Sequence, residues 1–171
     1  MRQDLRSYVT VDLDAIADNI SAVKNCIEPD VKVMAVIKTD GYGHGAVEIG
    51  KYLKDDVDYY ATATVDEAVE LRQAGLELPV LILGYTMKAQ YPKLVEYDIT
   101  QTIFNQQDAE TLGKTAISMG KQAKIHIALD TGMGRIGFVQ NEERADVVKQ
   151  IAEIPGIELE GMFTHFSPAD E

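Results

Sequence analysis

The chain is poor in several residues that would point to common function classes. Cys26 is the only cysteine, so no internal disulfide can form and no cysteine-rich zinc site can be assembled. Basic residues are outnumbered: 16 Lys+Arg face 28 Asp+Glu, a formal net charge of -12. That balance works against non-specific binding to nucleic acid or anionic lipid. Long hydrophobic runs are missing; stretches such as Val33-Met34-Ala35-Val36-Ile37 stop far short of the roughly 20 residues a membrane span needs. The start, Met1-Arg2-Gln3-Asp4-Leu5-Arg6, has charge but no apolar stretch behind it, unlike a secretory signal. A cytoplasmic location is expected, without nucleic-acid or membrane partners.

Apolar residues are plentiful at 46% of 171, enough for one domain with a sizeable core. They fall in short runs, each followed by a polar or glycine-rich joint and then an amphipathic stretch. The runs expected as strands are 8–11, 32–37, 59–63, 80–83, 99–103, 124–129 and 157–163. Most are rich in Val and Ile, as parallel strands buried on both faces require. The stretches expected as helices are 13–26, 46–53, 65–74, 88–97, 106–119 and 142–153. Thr64 with Glu67 forms a T-x-x-E capping box, and Asn105 and Asn141 stand at N-cap positions. Gly75 and Gly120 stand where helices should stop.

Strand–helix alternation implies an α/β fold with a parallel sheet, either open and doubly wound or a TIM-type (β/α) barrel. From Lys32 the runs begin about every 20 to 35 residues, near the roughly 30 per unit of an eight-stranded barrel. Six such strands precede Glu171, so a barrel would be incomplete.

The strongest chemical signal is Val36-Ile37-Lys38-Thr39-Asp40-Gly41-Tyr42-Gly43-His44-Gly45. A lysine follows a buried strand directly, at the mouth where barrel active sites lie. Its amine there can form a Schiff base with an aldehyde cofactor. Glycines 41, 43 and 45 let backbone approach an anion before a helix N-terminus, and the Tyr42 hydroxyl could bind a phosphate. A snorkelling lysine followed by an ordinary glycine-rich turn fits the same residues. No Gly-Lys-Ser/Thr follows, so this is not a Walker A loop. Gly132-Met133-Gly134-Arg135-Ile136-Gly137 spells G-x-G-x-x-G, but no helix opens inside the run as a dinucleotide site requires. His44, His126 and His165 lack metal spacing, and His126, alternating with apolar neighbours, reads as a packed histidine.

The segment 36–45 resembles the pyridoxal-phosphate lysine motif of the alanine racemase family. Val11-Asp12-Leu13-Asp14-Ala15-Ile16 with Asn19-Ile20 resembles that family's N-terminal segment. Asp130-Thr131-Gly132-Met133-Gly134-Arg135-Ile136-Gly137 is similar to its second signature, and Thr164-His165-Phe166 with Ala169-Asp170-Glu171 to its third. The resemblance implies an incomplete TIM-type barrel carrying about six of eight strands over residues 1–171, with a C-terminal β domain absent. It implies alanine racemisation through a pyridoxal 5'-phosphate aldimine on Lys38, which also acts as one of two acid–base groups. Tyr42 would bind the cofactor phosphate, Arg135 would lie near the ring oxygen and the substrate carboxylate, and His165 would join the hydrogen bonds around the pyridine ring. The second base, a tyrosine, would come from the second domain of the partner subunit in a homodimer, so this chain alone should be inactive.

Two residues depart from the pattern. Ala128 stands where the family often has a carbamylated lysine, leaving the support of Arg135 to another group, such as a bound anion. Pro168 interrupts the third signature. A non-catalytic pyridoxal-phosphate-binding protein, a racemase of another amino acid such as serine, and a decarboxylase of basic amino acids are the alternatives.

Overall fold

The computed structural model describes residues 7–139 and 142–167. Five strands lie side by side in chain order, all parallel: β1 (Met34–Val36), β2 (Tyr59–Thr62), β3 (Val80–Ile82), β4 (Thr100–Ile103) and β5 (Ala123–Asp130). β7 (Ile157–Thr164) pairs with β5 from Ala123↔Ile157 to Leu129↔Thr164, with a register shift between Ile125 and His126. These are the six strands expected from residue 32 onward, the first four trimmed at one or both ends and β5 and β7 extended by one or two residues. A two-residue strand, β6 (Phe138–Val139), pairs with Leu129 and Asp130 on the edge that β4 vacates beyond Ile103.

The run Tyr8–Val11 is not a strand. Its pattern suits β structure, but no neighbouring strand pairs with it, and Tyr8 and Val9 lie exposed. An apolar run without a ladder partner gains nothing from an extended backbone.

Helices cover one face of the sheet. α1 (Leu13–Lys24) is capped by Asp12, whose carboxylate accepts from the Ala15 N–H at 3.1 Å. α3 (Ala46–Leu53) buries Ala46, Ile49, Gly50 and Leu53, the i, i+3, i+4, i+7 stripe of an amphipathic helix. α4 (Val65–Gln73), α5 (Tyr91–Glu96), α6 (Gln106–Ser118) and α7 (Glu142–Ala152) follow β2, β3, β4 and β6. A 3-10 turn at Lys88–Gln90 leads into α5, where Pro92 sits in the first turn and needs no N–H partner. Asn105 caps α6 by accepting from the Asp108 N–H at 2.8 Å. Gly75 and Gly120 follow α4 and α6 with φ of 85° and 68°, as expected. The Asn141 cap lies outside the described residues.

The capping box at Thr64 forms only by half. The Thr64 hydroxyl accepts from the Glu67 N–H at 3.3 Å. The Glu67 carboxylate does not bond the Thr64 N–H; it bonds the N–H groups of Ala63, one residue earlier, and of Thr39.

Register explains the core. Tyr60 and Val80 pair in one row, Thr62, Ile82, Gln101 and Ile125 in the next. With period-two alternation these rows share a face, where Tyr60, Val80, Ile82 and Ile125 pack with Leu71, Leu94 and Leu112 from the helices. The opposite face is concave. The Tyr59 hydroxyl on β2 donates to Glu160 on β7 at 3.4 Å, although β3, β4 and β5 lie between them. Four strand spacings would separate them by about 19 Å in a flat sheet, so the sheet curls like a barrel wall. Glu160 also accepts from the Thr100 hydroxyl at 3.0 Å and faces His126 at 4.0 Å. Burial pushes the His126 ring below its ordinary range, and the Glu160 carboxylate draws it back up. This supports the packed reading of His126. Among the described residues no strand pairs with the outer edges of β1 or β7, so the curl stays open.

Candidate functional site

Lys38 follows β1 after one residue, the buried Ile37, and the backbone then takes an uncommon path. Thr39, Asp40, Gly41 and Tyr42 stand at φ of 54°, 52°, 60° and 56°, a left-handed turn within α2 (Lys38–Gly43). Left-handed helical backbone costs an L-residue roughly 1–2 kcal/mol, so neighbouring contacts must hold it. The Asp40 carboxylate accepts from the Ala46 N–H at 2.9 Å, and the Asp40 carbonyl accepts from the Gly45 N–H at 2.8 Å. A His44 ring nitrogen lies 3.0 Å from the Gly41 carbonyl and 3.1 Å from the Tyr42 carbonyl. At Gly41 a Cβ would meet Ile49 Cδ1 at 2.9 Å in addition to the positive φ, so a side chain there would have to displace Ile49. The turn brings Tyr42 back beside Lys38, whose Nζ lies 5.8 Å from the ring centroid. The segment before α3 is therefore more elaborate than a glycine-rich joint, and two of its N–H groups, those of Gly45 and Ala46, are already taken by Asp40.

A second arm rises from the end of β5. The Asp130 carboxylate accepts from the N–H groups of Gly132 and Gly134, both at 3.0 Å. Gly137 closes the loop, passing so near β5 that a Cβ would lie 2.6 Å from the Asp130 nitrogen. Phe138 then enters β6 and is buried. Between these anchors the loop presents Met133, Arg135 and Ile136. The third arm is the end of β7, where Thr164 and Thr131 share a hydroxyl–hydroxyl bond of 2.6 Å that ties the two arms together. His165 follows and is exposed.

The three arms enclose one cleft of about 490 Å³. Lys38, Tyr42, Asp130, Arg135 and His165 line it, so all four expected site residues converge at the C-terminal ends of the strands. Ala128 forms part of the wall and is 1% exposed; a methyl group there offers Arg135 no charged neighbour. Pro168 and the residues after it lie outside the described residues.

Asp130 belonged to a recognised signature, but its job was not read from the sequence. The signal was available: Asp two residues before Gly favours a side-chain-closed turn. The bonds from Gly134 and then Gly132 hold the Asp130 carboxyl below its ordinary range of about 3.8. A depressed carboxyl pKa means the tether is present above the unfolded-state value and lost as pH falls through the folded one. The amide resonances of Gly132 and Gly134 should therefore titrate together with a midpoint below 3.8. A midpoint at or above that value would contradict the tether.

Residues 11–171 match the family described as alanine racemase, N-terminal domain. The chain belongs to that family. It is 46% identical over 164 residues to alanine racemase 2 of Caldanaerobacter subterraneus subsp. tengcongensis, covering 95% of this chain and 42% of that protein. Its fold superposes on the solved alanine racemase of Clostridium difficile 630 with a TM-score of 0.91 at 42% identity, covering 96% of this chain and 45% of the other. A histidine racemase from Leuconostoc mesenteroides matches with a TM-score of 0.84 at 25% identity, over 92% and 42% of the two chains. The chain thus spans less than half the length of these relatives. The open curl is the alanine racemase barrel in part.

Proposed function

We propose that this chain is the pyridoxal-phosphate-binding part of an alanine racemase, with the cofactor held on Lys38. The observation that carries this is the convergence of Lys38, Tyr42, Arg135 and His165 on one cleft. The donor set fits the cofactor: a primary amine for its aldehyde, and a phenol, a guanidinium and an imidazole for its oxygens and ring. A volume of about 490 Å³ lies within the range of small-molecule sites. Pyridoxal phosphate, when bound, supplies a sink for the electron pair left on Cα as its proton departs.

The protein's own groups then have distinct tasks. The Lys38 amine takes and returns a proton at one face of the substrate Cα. The Tyr42 hydroxyl binds the phosphate, and His165 hydrogen-bonds near the ring. Arg135 orients the substrate carboxylate with charge-assisted bonds, each worth roughly 1.5–3 kcal/mol. Arg135→Ala should therefore weaken carboxylate binding at least about tenfold while leaving the cofactor on Lys38; unchanged affinity in a titration with alanine would remove this role.

Alanine is favoured as substrate because the relatives described above at 46% and 42% identity are both alanine racemases. The working form is a cytoplasmic homodimer in which the other subunit supplies the base for the opposite face. Borohydride trapping tests the substrate reading. Cofactor fixed on Lys38 should fall when alanine is present, and less so with serine or histidine. No effect of any amino acid, with cofactor still trapped, would favour a non-catalytic pyridoxal-phosphate-binding protein.

A further inference from the structure

We infer that Glu67 is a positioning residue for Lys38, its carboxylate tying the left-handed turn after the lysine to the loop after β2. One carboxylate oxygen accepts from the Thr39 N–H at 3.0 Å, the other from the Ala63 N–H at 2.8 Å. Thr39 is the residue next to Lys38 and the first of the four left-handed residues. At φ 54° its β-branched side chain is crowded, so the turn needs an outside anchor at this position. Ala63 lines the same cleft as Lys38. A single side chain from α4 thus joins two of the loops that shape the mouth. An acid in the first turn of a helix ordinarily serves its own N-terminus; here one oxygen bonds Ala63, just before the Thr64 cap, and the other reaches across to Thr39.

The importance of this tie for the cofactor rests on the cofactor reading given above, so the test has two readouts. Amide hydrogen exchange at Thr39 and Ala63 is measured without any ligand, and borohydride trapping at Lys38 is measured with pyridoxal phosphate. Losing two bonds to a charged acceptor should speed exchange at both amides at least about tenfold in Glu67→Ala. Trapping at Lys38 should slow by a similar factor. Glu67→Gln keeps one acceptor oxygen and should restore protection at one of the two amides. Thr64→Ala, which removes the cap but not the tie, should leave Thr39 protected. Thr39 exchange within about twofold of the parent in Glu67→Ala would overturn the inference, as would a rise shared by every sheet amide, which reports general loosening. Unchanged Lys38 trapping alongside fast Thr39 exchange would also overturn it. If the parent chain traps no cofactor on Lys38, the cofactor reading fails, and the ligand-free exchange still decides whether Glu67 holds the turn.

Discussion

Lys38→Ala should abolish the covalent retention of pyridoxal phosphate by the chain while leaving its folding intact. The side chain lies at a strand end and projects into a cleft rather than into the core, where Ile37 and Ala35 sit. Truncating it opens no cavity among packed groups, so little change in unfolding midpoint is expected. The chemical loss, by contrast, is complete, because among the described residues no other lysine lines the cleft. After gel filtration the parent should keep a cofactor absorbance band and the variant none. A variant that keeps the band, fixed by borohydride, would place the cofactor elsewhere.

The second large effect concerns the reaction. Racemisation needs a proton removed from one face of Cα and delivered to the other. Lys38 is proposed to serve one face. The chain spans about 42% of its curated relatives, and the opposite base is proposed to reside in the rest of the dimer. With pyridoxal phosphate and alanine in deuterium oxide, the 171-residue chain should exchange the Cα hydrogen of one enantiomer and leave its configuration unchanged. Lys38→Ala serves as the baseline for exchange by free cofactor. Conversion of one enantiomer into the other at the rate of an intact racemase would show that one base, or a base within this chain, suffices.

How far these features could be read in advance depended on what each residue needed. β2 to β5 were legible because Tyr60, Val80, Ile82, Ile103 and Ile125 belong to apolar runs that only a buried sheet accommodates. Lys38, Arg135 and His165 were legible because each follows such a run, and strand ends converge in a barrel. The exposed run Tyr8–Val11 was misread because local pattern does not reveal whether a partner strand exists. The left-handed turn was out of reach: Thr39 and Tyr42 rarely adopt positive φ and Asp40 does so mostly as a single residue, and the surrounding hydrogen bonds hold the run of four. β6 was missed because two residues carry no periodicity. The roles of Asp130 and Glu67 depend on which N–H groups their oxygens meet, and Glu67 reaches 28 residues back along the chain.

Peptide mapping after borohydride reduction tests the central claim most directly. The chain is incubated with pyridoxal phosphate, reduced, digested and read by mass spectrometry for the lysine that carries the phosphopyridoxyl group. The group should lie on Lys38, and its yield there should exceed that at every exposed surface lysine, such as Lys51, Lys93 or Lys149. Labelling spread evenly over surface lysines, with Lys38 no more modified than the rest, would contradict a cofactor site at the mouth of β1.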